Sequence, residues 1–496
     1  MNSRQILFVL DIAAANAPAT VAPYTLAADR EALEERFPLM KTNLPPGDGK
    51  RIASAIDRYF GISLQKSTFG REVVGGLNAF GAMSYILVVN PAVMAATGLK
   101  PHSLLVATIL ASMVGTLIMG LWARLPVALA PGVASNVIFA QIVVLRMGVS
   151  YQTAFTMVLM AGIAFTVLSF TRLREKMVGA FPEPLRIGMQ CSIGLFIAQI
   201  GLRSGGLVSY SARGPSFGSL TDPAVLLALA GLFVVVVLYV RRVPAAFLLS
   251  IFVLTVVGLF IPGKSGAMLT TVPSHFVDSP TFPSELFLAF DFSEFIRNFW
   301  LVLPVTLYFF LAEFFSATAT LVGVTRRGNL MDAEGQIPNA RQAYSADGLA
   351  TIAGAALGTS TVLTYIESAV GVEAGARTGL MAVVVAILFG FCLFLWPLVT
   401  IIPMEAVAPT LILVGLLMFE GIRDLDTSCP ENSIPPILTI LVTVVTMNIV
   451  LGLAFGCFAY SLAAFFSRKV RQLSPMLLVL DVIFLVYMVV SASMPK

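Results

Sequence analysis

Charge is what this chain has least of. Only 12% of its 496 residues are Asp, Glu, Lys or Arg, against about 25% in soluble domains. That density cannot clothe a water-facing surface, which excludes an ordinary soluble fold. Histidine is almost missing: His102 and His275 cannot build a metal site by themselves. Cys191, Cys392, Cys429 and Cys457 are scattered without CxxC spacing, which argues against a disulfide framework and against zinc chemistry. The net charge of +4 is small and reads as loop bias, so no nucleic-acid partner is expected. No nucleophile–base pair or metal cluster stands out, so the reading is of a non-enzyme with no catalytic residues, no metal and no cofactor.

What is present is apolar. Hydrophobic residues make up 57% of the chain, in runs near 20 residues, the pattern of a polytopic membrane protein. The first 40 residues differ. "ALEERFPLM" is charged, and "QILFVLDIAAANA" is too short to span and lacks the basic start of a signal peptide. They read as a disordered cytosolic tail; alternatively the natural start is Met40, since "MKTNLPPGDGKRIASAIDRYFGI" would be an ordinary beginning.

Apolar segments fall at 71–91, 103–122, 126–143, 152–170, 184–202, 223–241 and 244–262, then at 298–324, 346–358, 361–373, 378–398, 404–420, 435–450 and 453–467, with one more at 474–492. Seven, a break, seven and an extra segment give the arithmetic of an inverted repeat, because an odd number of spans makes the second half enter from the opposite side. The organisation expected is a tail over 1–66, a first repeat over 67–262, a linker over 263–297, a second repeat over 298–467 and a C-terminal piece over 468–496. Charge agrees. With the N-terminus inside, the inside loops hold Arg124, Arg172, Arg174, Lys176, Arg241, Arg242, Arg326, Arg327, Arg341, Arg377, Arg423, Arg468, Lys469 and Arg471, and the outside loops only Lys100, Arg146, Arg203, Arg213, Lys264 and Arg297.

Segments three and ten, at matching places in the two halves, are odd. "PVALAPGVASNVIFA" (126–140) and "GTSTVLTYIESAVGVEAGARTG" (358–379) are broken by Gly or Pro and rich in Ser, Thr or Asn. Broken backbone at membrane depth must face protein or a wet cavity, and paired interruptions point to a transporter's binding site. Glu367 lies in the second. A carboxylate at midplane costs at least about 2.5–3.5 kcal/mol by insertion scales. Either it holds helices together through an N–H or a Lys, or it faces the cavity, accepting substrate N–H groups or a proton. No Lys or Arg is seen inside a neighbouring segment to neutralise it. "GTSTVLTY" can run extended, and "IESAVGVEAGA" can open a half-helix whose first N–H groups are unpaired and point at the cavity. Tyr365 offers a ring face or a hydroxyl, or simply packs. In segment eight, Glu313, Ser316, Ala317 and Thr320 share one helical face, fit for close approach of another element, and Glu313 is a second intramembrane carboxylate. Asp347 reads as a helix-start charge. Glu373 and Arg377, spaced i, i+4, read as a rim ion pair.

These residues resemble the nucleobase–cation symporter-2 superfamily, most closely its AzgA-like branch of adenine, guanine and hypoxanthine permeases, from about Arg71 to about Val490. "REVVGGLNAFGAMSYILVVNPAVM", "ALAPGVASNVIFA", "FFSATATLVGV", "GTSTVLTYIESAVGV" with "GARTGL", and "VAPTLILVGLLM" carry the likeness in order. The resemblance implies an all-α polytopic fold of two seven-segment inverted repeats, about 14 transmembrane segments in all. These form a core domain (segments 1–4 and 8–11) and a gate domain (5–7 and 12–14), with short extended pieces in segments 3 and 10. It implies a base held between those pieces and an elevator motion of the core. By motif Glu367 falls on the substrate carboxylate, Tyr365 and Ile366 beside it, and Ala134, Ser135 and Asn136 opposite. A homodimer in the inner membrane, with a cytoplasmic N-terminus and the proton gradient as driving force, is implied as well.

The match has departures. Where the branch has Asp-x-x-Asp-Thr-x-Gly-Thr, this chain has Glu313 to Thr320, with Ser316 at the second Asp and Ala319 at the Gly. Ala134, Ser135 and Asn136 replace Gly-Leu-Asn, and Asn78 and Gly81 stand where Thr or Leu is common. The expected activity is proton-coupled uptake of purine bases, with Glu367 and Glu313 as proton-coupling candidates and Ser316 and Thr320 beside the ligand. The neutral Ser316 leaves open another heterocycle or a small organic anion. A channel or receptor is the third reading.

Overall fold

Glycine, proline and single polar residues cut this apolar chain into helices, and their positions decide which segments stay whole. The structure is a computed structural model that describes residues 55–171, 182–211, 214–243, 245–263, 268–273, 275–332, 336–467 and 473–492. The sequence expectations for the tail before residue 55, for the alternative start at Met40, and for Arg172, Arg174, Lys176, Arg213, Lys264, Arg468, Lys469 and Arg471 lie outside the described residues. All elements below lie in the unit that starts at Phe60.

In chain order the helices are α1 (Phe69–Met83), α2 (Ile86–Met94) and α3 (Pro101–Ile118), then strand β1 (Leu129–Pro131), α4 (Val133–Val137), α5 (Tyr151–Ser169) and α6 (Glu183–Ser204). A hairpin of β2 (Val208–Ser211) and β3 (Gly214–Phe217) follows, then α7 (Pro223–Val240), α8 (Ala246–Gly258), α9 (Phe292–Arg297), α10 (Phe299–Arg327) and α11 (Ala340–Leu357). The chain closes with β4 (Val362–Thr364), α12 (Ser368–Glu373), α13 (Gly379–Cys392), α14 (Trp396–Thr400), α15 (Met404–Phe419), α16 (Pro430–Thr446), α17 (Ile449–Phe466) and α18 (Pro475–Ala492). Thr68, Ser150, Asp222, Thr378 and Asn448 each accept a first-turn N–H, which fixes where their helices begin.

Among the described residues, nine helices are long and apolar enough to cross a bilayer. Among the expected segments outside that group, three and ten carry extended backbone and nine packs against it. Segment one is not a continuous helix: it breaks at Ser84 and Tyr85 into α1 and α2. Segment nine starts earlier than expected, after Asn339, so Asp347 sits two turns inside α11 and not at its start.

The helices pack as two bundles. In one, α3 and α5 lie on α11, α3 and α1 on α13, α1 on α12, and α10 on α5. In the other, α6 packs on α15 and α16, α16 on α17, and α7 and α8 on α15. These are the core and gate of the inverted-repeat transporter fold. α18 packs on α10 and α17. Small residues set the closest approaches. A Cβ on Gly75 would lie 2.5 Å from the Ala376 Cβ and 2.8 Å from the Gly371 carbonyl oxygen, so α1 and α12 meet backbone to backbone.

Inside the core, β1 and β4 cross as an antiparallel pair, with Leu129 opposite Thr364, Ala130 opposite Leu363 and Pro131 opposite Val362. Three-residue strands leave outer-edge groups unpaired, which lipid would not forgive, and neighbouring groups take up that edge. Thr116 Oγ1 accepts from Leu129 N and donates to Leu129 O, both at 2.9 Å. Thr351 Oγ1 accepts from Val362 N at 3.1 Å and donates to Val362 O at 3.0 Å. Thr364 N donates to Asp347 Oδ1 at 2.8 Å, and Ala128 N to Ser368 Oγ at 3.0 Å.

Candidate functional site

The crossing of β1 and β4 positions the residues singled out in segments three and ten. Past β4 the chain turns through Tyr365, Ile366 and Glu367 into α12. Tyr365 is buried and its hydroxyl donates to the Pro131 carbonyl at 2.6 Å, while its N–H donates to Ala128 O at 3.0 Å. Its polar end therefore ties segment ten to segment three and is already in use. Ile366 is 48% exposed; a Cβ on Gly323 of α10 would lie 3.2 Å from its Cδ1, so segment eight flanks it. Glu367 is half-buried, and its Oε1 accepts from the Tyr85 hydroxyl at 2.8 Å.

Tyr85 stands at the break between α1 and α2, and its ring meets Phe247 of α8 edge-on at 5.3 Å. A residue of the core thus touches the gate and holds the carboxylate at once. Sequence reasoning missed it. The available signal was a lone Ser–Tyr pair inside an apolar run, because a buried phenol needs a hydrogen-bond partner.

The half-helix after Glu367 does not offer the unpaired N–H groups expected of it. Ser368 N, Ala369 N and Val370 N donate to the Tyr365, Ile366 and Glu367 carbonyls at 3.1, 2.9 and 3.0 Å. A tight first turn satisfies them internally. What remains for a ligand here is the carboxylate and the exposed apolar face of Ile366.

Across the strands, Ser135 and Asn136 of α4 are buried and Ala134 is half-buried. Asn136 Oδ1 accepts from Ser360 Oγ, and its Nδ2 is buried without a hydrogen-bond partner. Asn90 of α2 donates to Thr108 Oγ1 at 2.6 Å and Thr359 Oγ1 at 3.1 Å, pinning segments one, two and ten together.

Segment eight contributes two different things. Ser316 is half-buried and Thr320 is buried on the face predicted for them. Glu313, one turn earlier, is fully buried beside Thr351 and Asp347. Glu313 therefore belongs with the support behind β4, whereas Glu367 belongs with Tyr85 and Tyr365. Asp347 is a buried acceptor for a strand N–H, which corrects its reading as a helix-start charge.

The expected Glu373–Arg377 pair is absent among the described residues. α12 ends at Glu373 and Gly375 turns the chain at φ +106°, so i, i+4 geometry does not exist there. Glu373 pairs with Arg327 at 3.0 Å. Arg377 Nη1 instead donates to the Val372 and Ala376 carbonyls at 2.5 and 2.6 Å. Buried Glu72, also missed, accepts from Arg377 N and Thr378 N at 2.9 and 3.2 Å and anchors this turn to α1. Nor are the neighbouring segments free of basic residues: Arg186 lies in α6, over the Phe315 ring.

Comparison with known proteins adds four findings. The model of the Permease family (Xan_ur_permease) matches residues 70–455. The chain is 36% identical to the guanine/hypoxanthine permease PbuO of Bacillus subtilis (strain 168), over 86% of this chain and 99% of that protein. It is 33% identical to the adenine permease AdeP of Escherichia coli (strain K12), over 88% of this chain and 96% of that protein. Among solved structures, the transmembrane domain of a cyanobacterial bicarbonate transporter, BicA, shares the fold with a TM-score of 0.56 at 15% identity, covering 78% of this chain and 98% of that one.

Proposed function

This chain belongs to the Permease family (Xan_ur_permease), whose model spans residues 70–455, and from that premise we propose that it takes up purine nucleobases across the inner membrane, driven by the proton gradient. It is a membrane transporter and not an enzyme, similar along most of its length to guanine/hypoxanthine and adenine permeases. The observation that carries the reading is the half-buried Glu367 carboxylate, set where two broken segments cross and held by Tyr85. A purine offers adjacent N–H donors on a planar apolar ring. Glu367 accepts from those donors, and Ile366 packs on the ring. Ser316, Thr320, Ala134, Ser135 and Asn136 close the remaining sides, with Tyr365 as the brace between the strands.

A carboxyl away from water is disfavoured in its charged form, which suits Glu367 as the proton-coupled group. Glu313, set against Asp347, is the alternative carrier. The core bundle slides against the gate bundle as an elevator, with the base carried on the β1–β4 crossing, in a homodimer whose N-termini are cytoplasmic. The test is uptake of labelled hypoxanthine, guanine and adenine in cells expressing the chain, with Glu367→Gln and a protonophore alongside. All three bases are expected above background in the wild type, with uptake lost in the variant and under the protonophore. Background uptake of all three bases removes the purine assignment.

A second reading keeps the fold and changes the ligand to another heterocycle or a small organic anion. The neutral, half-buried Ser316 favours it, because a site with fewer acids holds an anion more easily. Thermal-shift screening across bases and anions separates the two: stabilisation by anions alone selects this one.

A further inference from the structure

One charged side chain at the junction of the bundles has no role in the site described so far. Arg186 lies in the first turn of α6, where the positive end of the helix opposes a cation, so helix stability does not account for it. It is half-buried, and its Nε is shielded from water without a hydrogen-bond partner. Its guanidinium carbon sits 5.8 Å from the centre of the Phe315 ring. Phe315 precedes Ser316 on α10, and α6 packs against α4, the short helix of Ser135 and Asn136. Arg186 therefore reaches from the gate helix α6 to Phe315 on α10, the residue before Ser316, while α6 itself packs on the helix of Ser135 and Asn136. Stacking occupies the flat face of a guanidinium and leaves its N–H edge for an acceptor.

We infer that Arg186 reads the six-position edge of the base and makes the site selective for 6-oxopurines over 6-aminopurines. The inference rests on the purine reading above. Arginine carries only donors. A 6-oxopurine presents two adjacent acceptors, O6 and N7, which match the guanidinium fork bidentately. A 6-aminopurine puts an N–H donor where O6 would be, and donor then faces donor. Glu367, an acceptor, takes N–H groups of the ring, so the two side chains read opposite polarities of one base. Such a bidentate pair discriminates by about five- to 150-fold.

The test is equilibrium binding to the purified full-length protein, which needs no turnover. Labelled hypoxanthine is displaced by guanine or adenine in the wild type, Arg186→Gln and Arg186→Lys, with thermal unfolding reporting that each variant is folded. The wild type is expected to bind hypoxanthine and guanine at least about fivefold tighter than adenine. Arg186→Gln is expected to shift the ratio toward adenine, because Gln accepts from N6 while donating to N7. Arg186→Lys keeps the charge but loses the fork, so hypoxanthine affinity falls severalfold. Adenine bound as tightly as hypoxanthine by the wild type overturns the inference, as does a ratio unmoved in folded Arg186→Gln or Arg186→Lys. A wild type that binds no purine defeats the purine reading itself; purine binding with an unmoved ratio defeats only the role of Arg186.

Discussion

Thr116 and Thr351 make the same pair of bonds in opposite halves of the fold. Each hydroxyl accepts from the N–H and donates to the C=O of the first residue of a three-residue strand: Leu129 for Thr116, Val362 for Thr351. Thr116 belongs to segment two and Thr351 to segment nine, equivalent positions in a repeat of seven. The hydroxyl stands in for a missing neighbouring strand. Replacing either Thr by Val keeps the shape and leaves two buried backbone groups unpaired, at about 1–3 kcal/mol each. Thr116→Val and Thr351→Val are both expected to lower the midpoint of thermal unfolding in detergent, while Thr→Ser at either site stays near the wild type. A Val variant as stable as the Ser variant would show that the strand edge does not need the hydroxyl.

One turn before these threonines the halves differ: Ser112 in the first, Asp347 in the second. Asp347 Oδ1 holds Thr364 N, the last residue of β4 before the turn to Glu367. Asp347→Asn keeps an acceptor for Thr364 N, so it is expected to unfold no earlier than the wild type. Asp347→Ala orphans a buried N–H at a cost of about 1–3 kcal/mol and loosens the turn carrying Glu367. Equal unfolding midpoints for the Asn and Ala variants would sink the acceptor role.

The bond from Tyr85 to Glu367 gives a prediction about affinity. Hydrogen bonds to charged groups are worth about 1.5–3 kcal/mol. Tyr85→Phe removes the donor, frees the carboxylate to rotate, and keeps the ring against Phe247. Binding of the preferred base is expected to weaken about ten- to 100-fold with the protein folded, as read by displacement on purified protein. Unchanged affinity would mean that Glu367 is oriented by something else.

Away from the bilayer, Glu285 supplies the pH dependence. The Ser103 hydroxyl, donating at 2.7 Å, holds its carboxyl below the ordinary 4.5, with Lys100 at 3.7 Å adding to the effect. A depressed folded-state value contributes stability above the unfolded value, and that stability is lost as pH falls through the folded one. Wild type and Glu285→Gln should therefore differ in thermal stability at pH 7 and converge below about pH 4. Ser103→Ala should move the convergence to higher pH. Curves for wild type and Glu285→Gln that run parallel down to pH 3 would contradict this.

The sequence made the crossing of segments three and ten readable, because Pro, Gly and clustered Ser, Thr or Asn inside apolar runs mark interrupted backbone at membrane depth. Glu367 was readable for the same reason, as a charge where none is affordable. The failures share a cause. Tyr85, Glu72, Asn90 and Arg186 matter through groups far away in the chain, and no periodicity encodes those partners. Ser345 and Asp347 imitate a helix start, but the chain already turns into α11 at Asn339, whose φ is +52°. The Glu373–Arg377 spacing implied a pair only on a helix that continues, and Gly375 ends it.

Arg146 tests the elevator reading. It ends the helical stretch Ile138–Arg146 that continues α4, so one end of this piece lies at the β1–β4 crossing and the other at the gate. Its Nη1 donates to the Thr446 and Met447 carbonyls at 2.6 and 3.1 Å. Those carbonyls end α16, where unpaired C=O groups and the negative end of the helix favour a cation. Beside the contact lies a cavity of about 200 Å³ lined by Gln141, Arg203 and Phe196. A core that slides past the gate must break this link in every cycle. Arg146→Met keeps the apolar stem and removes the donors. A cysteine placed at Gln141 should then react with a membrane-impermeant maleimide up to about fivefold faster than with Arg146 present, the scale of an exposed polar link worth at most about 1 kcal/mol. Equal labelling rates would show that the two bundles part, or stay together, without regard to Arg146.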